Sequence, residues 1–163
     1  IYKVLILTLS DRASSGEYED RSGKRIKEIF DDYFTKKEQI VTFNYKVIPD
    51  EVMLLESEIQ NAVSEGADII VTTGGTGIGP RDITPDVVKP LLDKEIPGIM
   101  EMIRWKYGQN KPAALLSRSI AGIIDKTLVY TLPGSLRAVN EYMEEILKTL
   151  EHLILMQHSI DAH

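Results

Sequence analysis

The sequence predicts an α/β fold: a single three-layer α/β/α domain over residues 1–163, built on a mostly parallel sheet. Two observations carry that prediction. Short apolar runs suited to buried strands alternate with longer segments whose apolar residues recur at helical spacing. The length of 163 residues suits one domain with a substantial core.

The elements follow in order. Residues 4–9 form an apolar run typical of a strand covered on both faces. The loop SDRASSGEYEDRSG follows, and then Ile26, Ile29, Phe30 and Tyr33 recur at helical spacing with charges between them. Val41, Phe43, Tyr45 and Val47 alternate with Thr42, Asn44 and Lys46, the pattern of a half-buried strand. Pro49, Asp50 and Glu51 break it and begin a helix with Leu55, Ile59, Ala62 and Val63 inward and Gly66 at its end. Residues 69–71 predict another buried strand, and Pro85 suits the first turn of a helix. Residues 97–107 read as a short helix. Leu115 and Leu116, and then residues 128–132, read as short strands. The sequence LPGS leads into a long amphipathic helix carrying Val139, Met143, Ile146, Leu150 and Ile154. Trp105 and Tyr107 read as helix packing residues, and the five methionines as core or interface filler.

Composition narrows the function. A net charge of -6 argues against nucleic acid or a membrane surface as partner, because both select a basic face. The absence of cysteine excludes disulfides, thiolate metal sites and a cysteine nucleophile. It also fits a reducing, cytoplasmic setting. No apolar run approaches the roughly 18 residues of a membrane span. The opening IYKVLILTLS lacks a small-residue cleavage site and reads as a strand rather than a signal segment. His152, His158 and His163 lie in the last helix or tail, far from the loops, and are assigned no catalysis.

In parallel α/β sheets, ligands sit beyond the carboxyl ends of the strands. Four segments leave such ends here: SDRASSG, the Pro49 and Asp50 corner, TTGGTGIGPRD and LPGS. They are expected to converge on one site. The glycine loop is not a P-loop. Gly74 and Gly79 have P-loop spacing, but Pro80 and Arg81 stand where lysine and a hydroxyl belong. The dinucleotide pattern also fails, because Gly75, Gly77 and Gly79 alternate. Backbone N–H groups at such glycines suit an anion, with hydroxyls added by Thr73 and Thr76. Asp82 beside the loop suits a magnesium ligand or a helix cap. Asp86 suits a cap. Arg81 and Arg118 suit a fork onto phosphate or a surface ion pair. Asp50 suits a cap on the helix beginning at Glu51, or a second carboxylate opposite Asp82.

TTGGTGIGPRDITPD, preceded by SDRASSGEYEDRSG and followed by LSRSIAGI and LPGS, resembles the molybdopterin adenylyltransferase family. Related domains of the gephyrin type share these motifs. The resemblance spans nearly the whole chain and implies a homotrimer of three-layer α/β domains. It implies ATP and molybdopterin as substrates with Mg2+, adenylylation of the pterin's terminal phosphate, and hand-over of the product to a molybdate-inserting protein. It places the family's functional aspartates, as metal ligands, on Asp50 and Asp82. It matches Gly74, Gly75, Thr76 and Gly77 to the phosphate-binding segment. Ser10, Asp11, Ser117, Arg118, Pro133, Gly134 and Ser135 match the rest of the pocket. A paralogous branch keeps the fold but has doubtful or different activity and lacks the Pro80, Arg81, Asp82 ending. That ending implies the active branch here, whereas Ser135, Leu136 and the short C-terminus resemble the paralogue, a non-catalytic or differently active pterin-binding protein.

Overall fold

A computed structural model describes residues 1–158. In chain order the elements are β1 (Tyr2–Leu9), α1 (Asp11–Ser14), α2 (Ser22–Lys36), β2 (Val41–Ile48), α3 (Val52–Ser64), β3 (Ile69–Thr73), α4 (Thr84–Val88), β4 (Lys94–Glu95), α5 (Pro97–Gly108), β5 (Ala121–Ile124), β6 (Thr127–Leu132) and α6 (Leu136–Gln157). One sheet runs in the order β2-β1-β3-β6-β5-β4. The four strands from β2 to β6 pair parallel, and β5 and β4 extend the sheet antiparallel.

Side-chain alternation explains why β1 reads as a nearly unbroken apolar run. Val4 and Ile6 face one core with Ile26, Phe30, Met143 and Ile146, whereas Leu5, Leu7 and Leu9 face a second with Leu55, Ile59 and Val88. Helices α2, α5 and α6 therefore cover one face, and α3 and α4 the other. The predicted inner faces are buried: Ile26 and Phe30 on α2, Leu55 and Ile59 on α3, and Val139, Met143, Ile146, Leu150 and Ile154 on α6. Strand β2 lies at the sheet edge, where Thr42, Asn44 and Lys46 face solvent as their alternation predicts.

Several expectations are corrected. Leu115 and Leu116 are not a strand; they end a 3-10 turn, Pro112–Leu116, and are 57% and 59% exposed. The ladder position beside β6 is filled by β5, a short strand that joins β6 through Asp125 at φ 53°. Trp105 does not pack inside but is 68% exposed on α5. Met100 and Met143 are core, while Met53, Met102 and Met156 are exposed. Asp86 caps nothing: the N-cap of α4 is Ile83, and Asp86 instead pairs with Arg118 at 3.0 Å. His158 closes α6 at an exposed position, and His163 lies outside the described residues. No helix among the described residues is long and apolar enough to cross a membrane.

Candidate active site

The chain leaves β1 toward the α2 face and β3 toward the α4 face, so the crossovers diverge between these neighbouring strands. That divergence opens a cleft at their carboxyl ends. The cleft encloses about 480 Å³ and draws its walls from Ser10, Asp50, Thr73, Gly75, Asp82 and Gly134, among others. All four predicted segments thus meet there.

Each wall has a local cause. Ser10 caps α1, its Oγ accepting the Ala13 N–H at 3.1 Å, and this sets Asp11 at the helix start. Asp11 and Asp50 clasp reciprocally. Asp50 Oδ2 accepts the Asp11 N–H at 3.1 Å, and Asp11 Oδ1 accepts the Asp50 N–H at 3.0 Å. Asp50 therefore does not cap α3, whose N-cap Glu51 makes no side-chain hydrogen bond. Gly74 and Gly75 turn the chain with φ of 101° and 71°. A Cβ at Gly74 would stand 2.3 Å from the Leu9 carbonyl oxygen, and one at Gly75 2.4 Å from Thr84 Oγ1. Thr84 closes the loop base by donating its N–H to Gly75 O and its hydroxyl to Gly74 O, both at 3.0 Å. The Asp82 carboxylate folds back over Gly77 and accepts the Gly79 N–H at 2.9 Å.

Charge in the cleft is mixed but acidic. Glu19, Asp20, Asp50 and Asp82 line it against Arg21 and Arg81. Arg81 is held on Asp11 by two hydrogen bonds, Nε at 3.1 Å and Nη2 at 3.0 Å. That pairing, with the Asp50 N–H, holds the Asp11 carboxyl below its ordinary value. Asp50 is displaced the other way. Burial raises its pKa foremost and the charges of Asp11 and Asp82 add to this, against the Asp11 N–H and Arg81, which lower it.

Not every predicted contact is free to meet a ligand in the cleft. Thr73 donates its hydroxyl to the Pro133 carbonyl at 2.7 Å, tying β3 to the LPGS segment. Thr76 is buried. Ser117 lies in an adjoining cavity of about 190 Å³ with Arg104, Tyr107, Tyr142, Pro133 and Ser135. Residues 133–136 divide the two spaces, since Gly134 and Leu136 line the cleft while Pro133 and Ser135 line the cavity. Ser135 also caps α6 through the Ala138 N–H at 3.2 Å. Arg118 lies behind the glycine loop, beside Pro85, Asp86, Lys89, Pro90 and Ile120, and does not itself line the cleft.

Sequence reading missed Asp20. Its buried carboxylate accepts the Thr8 hydroxyl at 2.7 Å, the Gly23 N–H at 3.2 Å and the Tyr45 hydroxyl. Burial and Asp20 push the Tyr45 phenol well above its usual range. The available signal was the spacing from Asp20 to Gly23, which is a helix-cap spacing.

Two carboxylates beside a glycine loop, at the carboxyl end of parallel strands, define an α/β domain with its ligand cleft at the switch between β1 and β3. Comparison makes this specific. Residues 5–152 match the family described as "Probable molybdopterin binding domain", and the chain belongs to that family. It is 38% identical over 150 residues to a molybdopterin adenylyltransferase of Helicobacter pylori, covering 91% of this chain and 84% of that protein. It is 40% identical over 156 residues to gephyrin of Dictyostelium discoideum, covering 91% of this chain but 21% of that protein. The Mog protein of molybdopterin biosynthesis from Mycobacterium ulcerans superposes with a TM-score of 0.86 at 32% identity, covering 96% of this chain and 99% of that one.

Proposed function

We propose that this protein is an enzyme of molybdenum cofactor biosynthesis that transfers AMP from ATP to the terminal phosphate of molybdopterin, releasing pyrophosphate. The carrying observation is that Asp50 and Asp82 share the cleft with the glycine loop, Asp50 beside Gly75 and Asp82 beside Gly77, in a chain similar to proteins named molybdopterin adenylyltransferase. An anionic phosphate oxygen of the pterin attacks the α-phosphorus of ATP. One P–O bond forms and the bond to the departing pyrophosphate breaks. The nucleophile is already ionised, so no base must remove a proton and no protein nucleophile is needed. The chemistry rests on positioning and on offsetting charge.

The cleft's acidic lining needs a cation before it can accept polyphosphate, and the donor set fits magnesium. No group of three or more metal-ligating side chains converges among the described residues. Magnesium does not require one, since it takes one or two carboxylates with phosphate oxygens and water. Asp50 and Asp82 would hold the ion, which would offset phosphate charge. The Gly74 N–H is given to the Leu132 carbonyl at 2.9 Å, so the N–H groups at Gly75 and Gly77 are the ones that support the developing negative charge. Arg81 exchanges Asp11 for a substrate phosphate. The adjoining cavity, with Tyr107 and Tyr142 in its wall, suits a planar ring whose phosphate reaches across residues 133–136 into the cleft.

A homotrimer in the cytoplasm, passing its product to a molybdate-inserting protein, completes the proposal. Exposed Trp105, Met102, Leu115 and Leu116 on α5 and the neighbouring 3-10 turn support an assembly face. The deciding experiment mixes protein, ATP, magnesium and molybdopterin and measures pyrophosphate. Stoichiometric release with an adenylylated pterin is expected. Tight pterin binding without release would identify a carrier of the same fold.

A further inference from the structure

Arg118, read from the sequence as a phosphate fork or a surface ion pair, makes the ion pair with Asp86 and grips the glycine loop as well. Its Nε donates to the Gly77 carbonyl at 2.8 Å, and its Nη2 to the Asp82 carbonyl at 2.7 Å. Its Nη1 meets both carboxylate oxygens of Asp86, at 3.0 and 3.1 Å. Its own backbone N–H donates to the Thr76 carbonyl at 2.9 Å. One side chain, brought from 32 or more residues away in sequence, thus ties both limbs of the loop and the first turn of α4.

The consequence concerns Asp82. Its carbonyl is fixed from behind by Arg118, while its carboxylate reaches the Gly79 N–H on the inner side. No helix holds Asp82 in place, because α4 begins at Thr84. We propose that Arg118 is a positioning residue for the adenylyl transfer: it braces residues 76–86 from outside the cleft and thereby orients the Asp82 carboxylate. The guanidinium plane matters as much as its charge. Its donors diverge toward a carboxylate and two carbonyls, and the single ammonium of lysine cannot serve all three. The inference rests on the adenylyltransfer reading for its kinetic consequence, but the bracing itself is measurable without turnover.

The test compares Arg118→Gln, Arg118→Lys and Asp86→Asn with the parent protein, each first checked for an unchanged cooperative melt. Hydrogen exchange should rise in residues 76–86 of the Gln variant and not elsewhere in the sheet. The magnesium concentration for half-maximal activity should rise about 10-fold, the low end for losing a group that orients a metal ligand. kcat should fall about 10- to 100-fold with KM for ATP nearly unchanged, as expected for a misplaced group rather than a lost substrate contact. Arg118→Lys should resemble Gln, and Asp86→Asn should shift each readout in the same direction by less. Guanidinium added to Arg118→Ala should restore part of kcat. Unchanged exchange in the loop, parental kcat in Arg118→Lys, or a raised KM for ATP with unaltered magnesium dependence would each overturn the proposal. If the parent releases no pyrophosphate, the functional reading fails by itself. Mn2+ binding followed by electron paramagnetic resonance, with ATP present, then decides: weaker binding in Arg118→Gln together with faster loop exchange supports positioning, and parental values of either overturn it.

Discussion

Asp50 and Asp82 are alike in sequence and unlike in setting, and the difference can be measured. Asp82→Asn keeps an oxygen able to accept the Gly79 N–H, so its melting temperature should match the parent. Adenylylation should fall by about 100-fold or more, the scale for removing one group that stabilises transition-state charge. Near-parental turnover would remove Asp82 from the chemistry. Asp50 is the carboxylate on which a pH dependence can be tested. Its folded pKa is raised, chiefly by burial, so it takes up its proton at higher pH than an ordinary aspartate. If Asp50 holds magnesium as proposed, it must be ionised to do so, and kcat/KM should then fall with acid above the usual aspartate range. Arg81 lowers the Asp50 pKa through its charge. Removing that charge in Arg81→Gln should move the acidic limb of kcat/KM against pH, which reports the free enzyme, further upward. A limb that stays or moves down would break the link between Asp50 and activity. The stability signs are opposite for the two clasped carboxyls. The lowered Asp11 contributes stability above its unfolded pKa and loses it as pH falls through the folded value. The raised Asp50 disfavours the folded state as pH rises from its unfolded pKa through its folded one.

At the level of elements, β2 does more than close the sheet edge. Tyr45 donates to buried Asp20, and Asp20 in turn accepts from Thr8 on β1 and Gly23 at the start of α2. Tyr45→Phe keeps the ring and removes one donor from a buried carboxylate, which should destabilise by about 1–3 kcal/mol in urea unfolding. A loss near zero would mean that water replaces the hydroxyl. This network also shows what sequence conveys and what it hides. Tyr45 is legible as an inward position of an alternating strand, because alternation is a local property. Its hydrogen bond to Asp20 is not legible, because it depends on the packing of β2 beside β1. The same divide explains β5 and Leu115. Strand β5 is only four residues long and exists by pairing with β6 and β4, while Leu115 and Leu116 are apolar without a strand partner. Arg118 repeats the lesson at the site. Its residue type suggests phosphate, whereas only the fold reveals three acceptors already around its guanidinium. By contrast, the convergence of the four loops is legible, because strand direction alone sends each of them to the same end of the sheet.

For the whole molecule, the described surface carries an unusual cluster. Trp105 is 68% exposed, Leu115 57% and Leu116 59%, with Met102 on the same helix as Trp105 at 41%. Leu115 packs over Gly108 at the end of α5, which sets the 3-10 turn against the helix that carries Met102 and Trp105. A tryptophan with this exposure contributes nothing to the core of a single chain, and aromatic residues are enriched where chains meet. If the face joins three copies, light scattering of the parent at micromolar concentration should give three times the chain mass. Its melting temperature should also rise with protein concentration, since assembly stabilises the folded state by mass action. Trp105→Glu should yield a chain with parental circular dichroism, a lower mass and a melting temperature independent of concentration. Trp105 itself lines neither the cleft nor the adjoining cavity, but Arg104 and Tyr107 of the same helix line the cavity. Separating the copies should therefore loosen α5 and raise KM for the pterin more than KM for ATP. A parent that scatters as a single chain, or a Trp105→Glu variant of unchanged mass, would assign this face to something other than self-assembly.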